Sequence, residues 1–94
     1  MGLKRHKQFK KDLTNLKLSD KQFEKFVRFL SLLLEGKELP KEARDHSLKG
    51  DFKDVRDFHL GGDIIVLYRK ILEPDGKISI HLLRIGTHNQ IFKK

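Results

Sequence analysis

Five titratable or cationic side chains between residues 46 and 88 could together act on a phosphodiester bond. They are His46, His59, Asp63, Arg84 and His88. Free imidazole titrates at about pH 6.5, so a histidine can accept or donate a proton at neutral pH. In RNA cleavage without a metal, an imidazole or carboxylate would deprotonate the 2′-hydroxyl, and another imidazole would protonate the leaving 5′-oxygen. Arg84 would neutralise the phosphorane, and Phe92, four residues beyond His88, would offer a ring for base stacking.

The same residues allow two other interpretations. Three histidines and one aspartate could bind zinc or a non-haem metal, but their spacings match no metal-binding signature and the surrounding positive charge disfavours a dication. Alternatively, His59 and Asp63 could stabilise a hairpin while Arg84 pairs with one of the thirteen acidic residues. The residues alone therefore leave a metal-free nuclease and a structural role about equally supported.

A two-glycine turn is expected to bring His59 and Asp63 close together. Residues 51–60 are typical of a strand region, either one strand or two short ones with a break. Gly61-Gly62 then predicts a tight reversal into an apolar strand over residues 64–69. His59 ends the first of these strands and Asp63 begins the second, so both lie at the same corner of the sheet.

The last strand is expected to deliver Arg84 and His88 to that corner. Branched aliphatic residues predict a strand over residues 78–84, and Gly86 is expected to turn the backbone and present His88. If this strand pairs antiparallel with the preceding apolar strand, its carboxyl end lies beside the two-glycine turn. His46 is not placed by this argument.

The first 36 residues predict two helices that form a hairpin. From residue 8 onward, apolar residues recur at helical spacing on one face. Ser19 with Gln22 three residues later has the pattern of a capping box, which predicts the start of the second helix. Gly36 is a typical residue just beyond a helix end.

Two helices followed by three or four hairpin-connected strands predict an α+β fold. We expect the N-terminal helical hairpin to pack on one face of a small antiparallel β-sheet, with residues 1–94 forming a single domain. Residues 3–6 could be an edge strand or the start of the first helix. Residues 37–50 are expected to form an ordered connection. Polar groups at the strand ends then remain available to a ligand.

The formal net charge of +8 is concentrated at the two ends of the chain. Residues 1–28 hold nine Lys/Arg against three acids, residues 29–83 hold nine against ten, and residues 84–94 hold three against none. If the two ends meet in the fold, they form a positive surface that attracts polyanions. Lysines can also serve solubility alone, so the charge does not decide between nucleic acid, an acidic protein and neither.

Composition excludes several other classes of protein. The absence of cysteine excludes disulfides, thiolate nucleophiles and cysteine metal sites. No apolar run approaches the roughly 20 residues of a membrane span. Residues 1–11 carry charges where a signal peptide has its apolar segment. We therefore expect a soluble cytoplasmic protein that does not bind a membrane.

Three motifs follow one another between residues 45 and 92. They are Asp45-His46-x-Leu48-x-Gly50, Arg56-Asp57-x-His59-x-x-x-Asp63 and Arg84-x-Gly86-x-His88-x-x-x-Phe92. Each motif alone is weak, but the series behind a helical hairpin resembles the RelE superfamily of toxins, and more closely its YafQ-like branch. The resemblance implies a RelE-like α+β fold.

The resemblance also implies an activity and partners. Members of this branch are expected to be ribosome-dependent mRNA endoribonucleases that cut in the A site and need no metal or other cofactor. The chain would then bind mRNA and ribosomal RNA, be monomeric alone, and form a hetero-oligomer with a cognate antitoxin protein. The antitoxin is expected to be acidic in its binding segment and to fold onto the toxin.

Roles for individual residues follow from the same resemblance. It implies acid–base or positioning roles for His46, His59, Asp63 and His88, without deciding which is the base and which the acid. Arg84 would stabilise the transition state. Phe92 would contact or order the site. Further substrate contacts are expected from Arg56 and from Lys93, which lies beyond the usual end of the family at Phe92.

Two other functions remain open at this point. A non-catalytic member of the same fold could bind an antitoxin and act as a co-repressor in DNA-bound complexes. A free-standing RNA-binding domain is less well supported, because the single Tyr68 and the helix-bound phenylalanines offer few stacking surfaces.

Overall fold

The structure is a computed structural model that describes residues 2–48 and 54–92. Its elements in chain order are β1 (Gly2–Arg5), α1 (Lys7–Thr14), α2 (Asp20–Leu34), a short 3-10 helix (Lys41–Ala43), β2 (His46–Ser47), β3 (Arg56–Gly61), β4 (Ile64–Leu72), β5 (Ile78–Thr87) and α3 (His88–Phe92). The strands form one sheet in the order β1-β5-β4-β3-β2. β1 runs parallel to β5, and the other neighbours are antiparallel. The predicted α+β fold is confirmed, and residues 3–5 belong to an edge strand.

α2 begins and ends where its local sequence signals predict. The Ser19 side-chain oxygen accepts a hydrogen bond from the Gln22 N–H at 3.1 Å, and the Gln22 side-chain oxygen accepts one from the Ser19 N–H at 3.0 Å. Gln22 also donates from Nε2 to the Gly61 carbonyl at 3.1 Å, which fixes the start of α2 against the β3–β4 turn. Gly36 has a φ of +74°, the left-handed conformation that ends a helix. In the described part of the chain, no helix is long and apolar enough to cross a membrane.

α1 and α2 cover one face of the sheet, here called the helix face. Phe9, Phe29 and Leu33 from the helices are buried there against sheet residues that include Phe58 and Tyr68. The Phe29 and Phe58 rings meet edge to face with their centroids 5.8 Å apart. Burying one such side chain stabilises the fold by about 1.5–3 kcal/mol. The helix face is therefore the main core and leaves the opposite face for a ligand.

The opposite face, here called the open face, carries a smaller apolar cluster. Val55, Ile65 and Leu67 are buried in it, and the partly buried side chains packed against it are Leu48, Leu83, Ile91 and Phe92. α3 contributes the last two of these side chains, so it packs on this face directly after β5. The cluster fixes α3 beside the ends of β3 and β4.

β5 is longer than the predicted strand and continues to Thr87. The expectation that the strand ends at Arg84 and that Gly86 turns the backbone is wrong, because Gly86 pairs with Ile65 inside the β4–β5 ladder. A Cβ atom at position 86 would lie 2.9 Å from Oε1 of Gln90 in α3, so a larger residue there would displace the Gln90 side chain from its hydrogen bond with the Thr87 N–H. The chain changes direction only where α3 begins.

One extra residue in β5 forms a β-bulge. Tyr68 pairs with Leu82 and the preceding Leu67 pairs with Arg84, so Leu83 is the additional residue. Leu67 belongs to the apolar cluster of the open face. Its partner Arg84 is therefore in register with the open face and not with the core beneath the helices.

Candidate functional site

A cavity with a volume of about 480 Å³ lies on the open face beside α3. It is lined by three histidines, an aspartate, an arginine and two apolar side chains, namely Arg44, His46, Leu48, Asp57, His59, His88 and Phe92. We call it the histidine cavity. Its three histidines and Phe92 all belong to the predicted site, so the structure brings this part of the predicted set together.

Strand pairing places His46 directly opposite Asp57. Nδ1 of His46 lies 3.0 Å from Oδ1 of Asp57 and 2.8 Å from the carbonyl oxygen of Arg44. Arg44 has a φ of +50°, a left-handed turn just before β2. The ring of His46 is therefore held at Nδ1 by a main-chain oxygen and a carboxylate, which leaves Nε2 for a substrate.

Asp57 is the only buried charged side chain among the described residues, with 3% of its surface exposed. Among the described residues, Oδ1 of Asp57 has no hydrogen-bond partner. The single proton on His46 Nδ1 is shared with the nearer Arg44 carbonyl, so the contact with Asp57 is electrostatic. Burial raises the pKa of Asp57, and the positive charges of His46 and His59 oppose that shift only in part. A buried carboxylate without a full partner destabilises a fold, so its position between imidazoles indicates a functional role.

His59 lies beside His46, with the two rings stacked at a centroid distance of 6.2 Å. Its Nε2 is 4.0 Å from Oδ1 of Asp57. Burial lowers the pKa of His59 below its ordinary value and outweighs the opposing attraction of Asp57. At neutral pH His59 is therefore mainly the neutral imidazole, which is the form that accepts a proton.

α3 supplies the third histidine and the aromatic ring of the cavity. The main-chain N–H of His88 donates to the Asp63 carbonyl at 3.1 Å, which anchors the start of α3 on the β3–β4 turn. The rings of His88 and Phe92 lie with their centroids 4.7 Å apart. His88 is exposed, whereas Phe92 is partly buried in the open-face cluster. An accessible imidazole and an aromatic ring thus stand side by side at the cavity mouth.

The β3–β4 turn leaves the Asp63 carboxylate outside the histidine cavity. Gly61 and Gly62 have φ values of +101° and +58°, which confirms the predicted tight reversal. The side chain of Asp63 is exposed and is not part of the cavity lining. Its contribution to the site is the main-chain carbonyl that holds His88.

Arg84 also lies outside the histidine cavity, at the edge of β5. Its Nε donates to Oδ2 of Asp12 at 2.7 Å and its Nη2 donates to Oδ1 at 3.2 Å. The same carboxylate accepts the Ile85 N–H at 3.1 Å. Burial alone would raise the pKa of Asp12, but these hydrogen bonds bring it below its ordinary value. The expected convergence of the Arg84 side chain with the histidines is therefore not observed.

Strand register nevertheless puts Arg84 in line with the site. Asp57, Leu67 and Arg84 form one row across β3, β4 and β5. The Cα atoms of Asp57 and Arg84 are thus separated by two strand spacings, about 10 Å. An extended ligand lying across the open face could contact both ends of this row.

Arg56 lines a different cavity, with a volume of about 490 Å³, which meets the histidine cavity at Arg44. Its Nε donates to Oδ1 of Asp45 at 3.2 Å, and the Tyr68 hydroxyl donates to the same oxygen at 2.6 Å. Lys93 lies outside the described residues. Substrate binding by Arg56 and Lys93 therefore stays a prediction.

Asp57 is absent from the set of site residues predicted from the sequence. A signal for it exists in the strand pattern of β3. Side chains at positions i and i+2 of a strand lie on the same face, so Asp57 accompanies His59 while Phe58 between them enters the core. Strand alternation around a candidate histidine would have identified it.

Three side chains of the histidine cavity could hold a metal ion. The ligand atoms of His46, Asp57 and His59 all lie within 4.8 Å of one another. Two imidazole nitrogens and one carboxylate oxygen suit Zn²⁺ or Cu²⁺. The spacing of these residues along the chain does not show this set, because β2–β3 pairing assembles it.

Comparisons with known proteins show the family of this chain. The family model described as a bacterial toxin of type II toxin–antitoxin systems, YafQ, matches residues 1–93. The chain is 32% identical over 89 residues to the mRNA interferase toxin YafQ of Escherichia coli K12, covering 90% of the chain and 88% of that relative.

Solved structures with the same fold include two toxins. The E. coli DinJ–YafQ toxin–antitoxin complex contains a chain with a TM-score of 0.76 at 30% identity, covering 96% of this chain and 94% of that one. A copper-bound mutant toxin from Helicobacter pylori has a TM-score of 0.78 at 28% identity, covering 97% and 98%. The chain therefore belongs to the YafQ family of bacterial toxins from type II toxin–antitoxin systems.

Proposed function

We propose that this chain is a metal-independent endoribonuclease that cleaves mRNA on the ribosome. The E. coli relative is named an mRNA interferase. The observation that carries the proposal is the buried Asp57 carboxylate beside two histidines, in a cavity of a protein with a net charge of +8. A basic chain attracts RNA, and proton transfer in the cavity explains why a destabilising carboxylate is kept there.

His59 is the imidazole best suited to act as general base. Its lowered pKa leaves it neutral, so it can take the proton from the 2′-hydroxyl. The 2′-oxygen attacks the phosphorus, and the bond to the 5′-oxygen breaks. His88, exposed at the cavity mouth, donates a proton to that 5′-oxygen. The products are a 2′,3′-cyclic phosphate and a 5′-hydroxyl, and each proton transfer contributes about 10²–10⁴-fold.

His46 and Asp57 support these transfers. The Asp57 carboxylate, 4.0 Å from His59 Nε2, stabilises the positive charge that the base gains when it takes a proton. His46 is oriented through Nδ1 by Asp57 and by the Arg44 carbonyl, so its Nε2 can contact the phosphate. Asp57 is thus a positioning residue that acts through both imidazoles.

Arg84, Asp63 and Phe92 complete the proposed site. Arg84 neutralises charge on the RNA phosphates at the β5 end of the open face, and a well-placed donor contributes about 10²–10³-fold to such a reaction. Asp63 positions His88 through its main-chain carbonyl. Phe92 provides the ring on which a base stacks.

An antitoxin is proposed to cover part of this toxin, as DinJ does in the solved complex with the E. coli relative. Phe23 and Val27 are 57% and 48% exposed and lie one turn apart on α2. Lys21 and Lys25 stand on the same helix. An amphipathic segment with acidic flanks would match this surface, which is the helix-in-groove mode of recognition.

The test of the catalytic proposal is to map mRNA 5′ ends after induced expression in bacteria. The wild type is expected to produce new 5′ ends and to stop growth, and His59→Ala and His88→Ala are expected to lose both effects. His81→Ala is the matched control, because His81 contacts His6, the residue between β1 and α1, and does not line the histidine cavity. If both site variants inhibit growth as strongly as the wild type, the assignment of catalysis to these histidines is wrong. A wild type that produces no new 5′ ends would instead support the non-catalytic co-repressor.

A second candidate function is metal binding by His46, Asp57 and His59. It is supported by the donor cluster and by the copper bound to the H. pylori toxin. A metal there would occupy the imidazole nitrogens needed for proton transfer, so it should inhibit cleavage. Calorimetric titration with Cu²⁺ is expected to show one site that His46→Ala removes and His81→Ala keeps. Unchanged binding by His46→Ala would reject this candidate.

A further inference from the structure

Three depressions on the surface are joined by shared lining residues. The histidine cavity shares His88 and Phe92 with a depression beside α3. That depression shares Gln90 with a third, which lies between α1 and β5 and is here called the α1 depression. The three therefore lie in series, each next to the following one, from the histidine cavity past α3 to α1.

The lining of the α1 depression is mainly polar. It comprises Gln8, Lys11, Asp12, Asn15, Leu16, Arg84, Ile85 and Gln90. Its volume of about 390 Å³ falls within the range of roughly 300–1,000 Å³ for ligand sites. Two cations against one acid leave a net positive charge, and three amide side chains can donate and accept hydrogen bonds. This lining suits a phosphate, a sugar or a base edge.

The guanidinium of Arg84 is held rigidly in this depression. Asp12 accepts two hydrogen bonds from it, and the carboxylate is fixed in turn by the Ile85 N–H. A cation held in this way loses little conformational entropy on contact with a phosphate. Lys11 is the neighbour of Asp12 on α1 and is exposed, so its ammonium group can reach the same phosphate.

We infer that the α1 depression binds the RNA strand next to the scissile phosphate, with Lys11 of α1 and Asn15, the residue just after α1, as the contacting residues. This inference rests on the proposed ribonuclease function, because the histidine cavity defines the point of cleavage. A strand that leaves that cavity passes the Phe92 ring and Gln90 before it reaches Lys11 and Arg84. Stacking rings followed by cations are the usual means of binding single-stranded RNA. α1 is thereby part of the RNA-binding surface as well as of the core.

The experiment compares two 2′-O-methyl RNA oligonucleotides, which cannot be cleaved because the attacking hydroxyl is blocked. Their lengths are about 4 and about 10 nucleotides, within the range bound by single-strand-binding domains. Fluorescence anisotropy measures affinity over a series of salt concentrations for the wild type, Lys11→Ala and Lys10→Ala. Lys10→Ala is the matched control, because it removes the same charge from the same helix at a position that does not line the depression. Thermal unfolding checks that all three proteins are folded.

The longer RNA is expected to bind the wild type more tightly than the shorter one. Lys11→Ala should weaken binding of the longer RNA alone, about 3- to 10-fold, and reduce the slope of log affinity against log salt by about 0.7. Asn15→Asp should also weaken binding of the longer RNA. If the longer RNA binds no more tightly, or if Lys10→Ala weakens it as much as Lys11→Ala does, the inference is wrong.

The mapping of mRNA 5′ ends keeps the two proposals apart. If the α1 depression does not bind RNA, the wild type should still cleave mRNA, and this cleavage should still depend on His88. A wild type that produces no new 5′ ends would instead reject the proposed function, whatever the oligonucleotides show. Cleavage that persists in His88→Ala would reject the role of His88 as general acid.

Discussion

Replacing Asp57 by asparagine is expected to make the protein more stable and less active at neutral pH. The Asp57 side chain is buried, its Oδ1 has no hydrogen-bond partner among the described residues, and burial raises its pKa. The folded state therefore holds the proton more tightly than the unfolded chain does, so ionisation of Asp57 opposes folding. An unsatisfied buried group costs about 1–3 kcal/mol when it is neutral and more when it is charged, and asparagine removes only the charge. The lost attraction to His46 and His59 reduces the gain, so we expect about 1 kcal/mol, or about 4–8 °C in Tm for a domain of this size.

The pH dependence of this gain has a defined direction. The folded-state pKa of Asp57 is raised above the unfolded value of about 3.9. Below that value the carboxyl is protonated in both states, and the wild type and Asp57→Asn should be equally stable. As pH rises through the folded-state pKa, the wild type loses stability and the variant does not. The difference should then stay constant at higher pH.

Thermal unfolding followed by circular dichroism from acid to neutral pH measures this difference. Asp63→Asn is the control, because its carboxylate is exposed and its replacement should leave Tm unchanged. mRNA cleavage by Asp57→Asn should fall at least about tenfold, since acid–base catalysis by the neighbouring imidazoles contributes about 10²–10⁴-fold. A lower Tm for Asp57→Asn at neutral pH would show that attraction to the histidines outweighs burial, and the account of this carboxylate would be refuted.

Three further perturbations test other parts of the molecule. Burial lowers the pKa of His59, so kcat/KM of the wild type should keep its value as pH falls past about 6.5. A fall in kcat/KM that begins at or above that pH would exclude His59 as the base. Asp12→Ala removes the charged hydrogen bonds to Arg84 and should lower the free energy of unfolding by about 1.5–3 kcal/mol, measured by urea titration. An unchanged free energy of unfolding would mean that this contact does not hold α1 on β5. Phe23→Asp combined with Val27→Asp should abolish co-purification of the antitoxin while leaving mRNA cleavage intact, and retained co-purification would place the antitoxin elsewhere.

The helical part of the fold was predictable because its signals are local. Ser19 and Gln22 form the capping box that their spacing predicts, and Gly36 ends α2 in the left-handed conformation. The two-glycine turn at Gly61-Gly62 is equally local, since a positive φ at both positions suits glycine. Signals of this kind involve residues within one turn of each other, so they do not depend on the rest of the chain.

The site was less predictable because its contacts are distant in sequence. Asp12 and Arg84 are 72 residues apart, and neither residue alone indicates the other. His46 meets Asp57 only because β2 pairs with β3, and β2 is a two-residue strand that its sequence does not indicate. Three motif histidines do converge, while the Asp63 carboxylate stays outside the cavity lining.

The bulge in β5 decides on which face Arg84 lies. Ile80 and Leu82 face the helices, and strict alternation would place Arg84 with them in the core, where an unpaired guanidinium would be strongly destabilising. The extra residue Leu83 shifts the alternation by one, so that Ile85 enters the core instead and Arg84 is in register with the open face. In the sequence, the shift falls at two consecutive leucines, Leu82 and Leu83. A single inserted residue thus keeps the Arg84 guanidinium out of the core, at the edge of β5 where it binds Asp12 of α1.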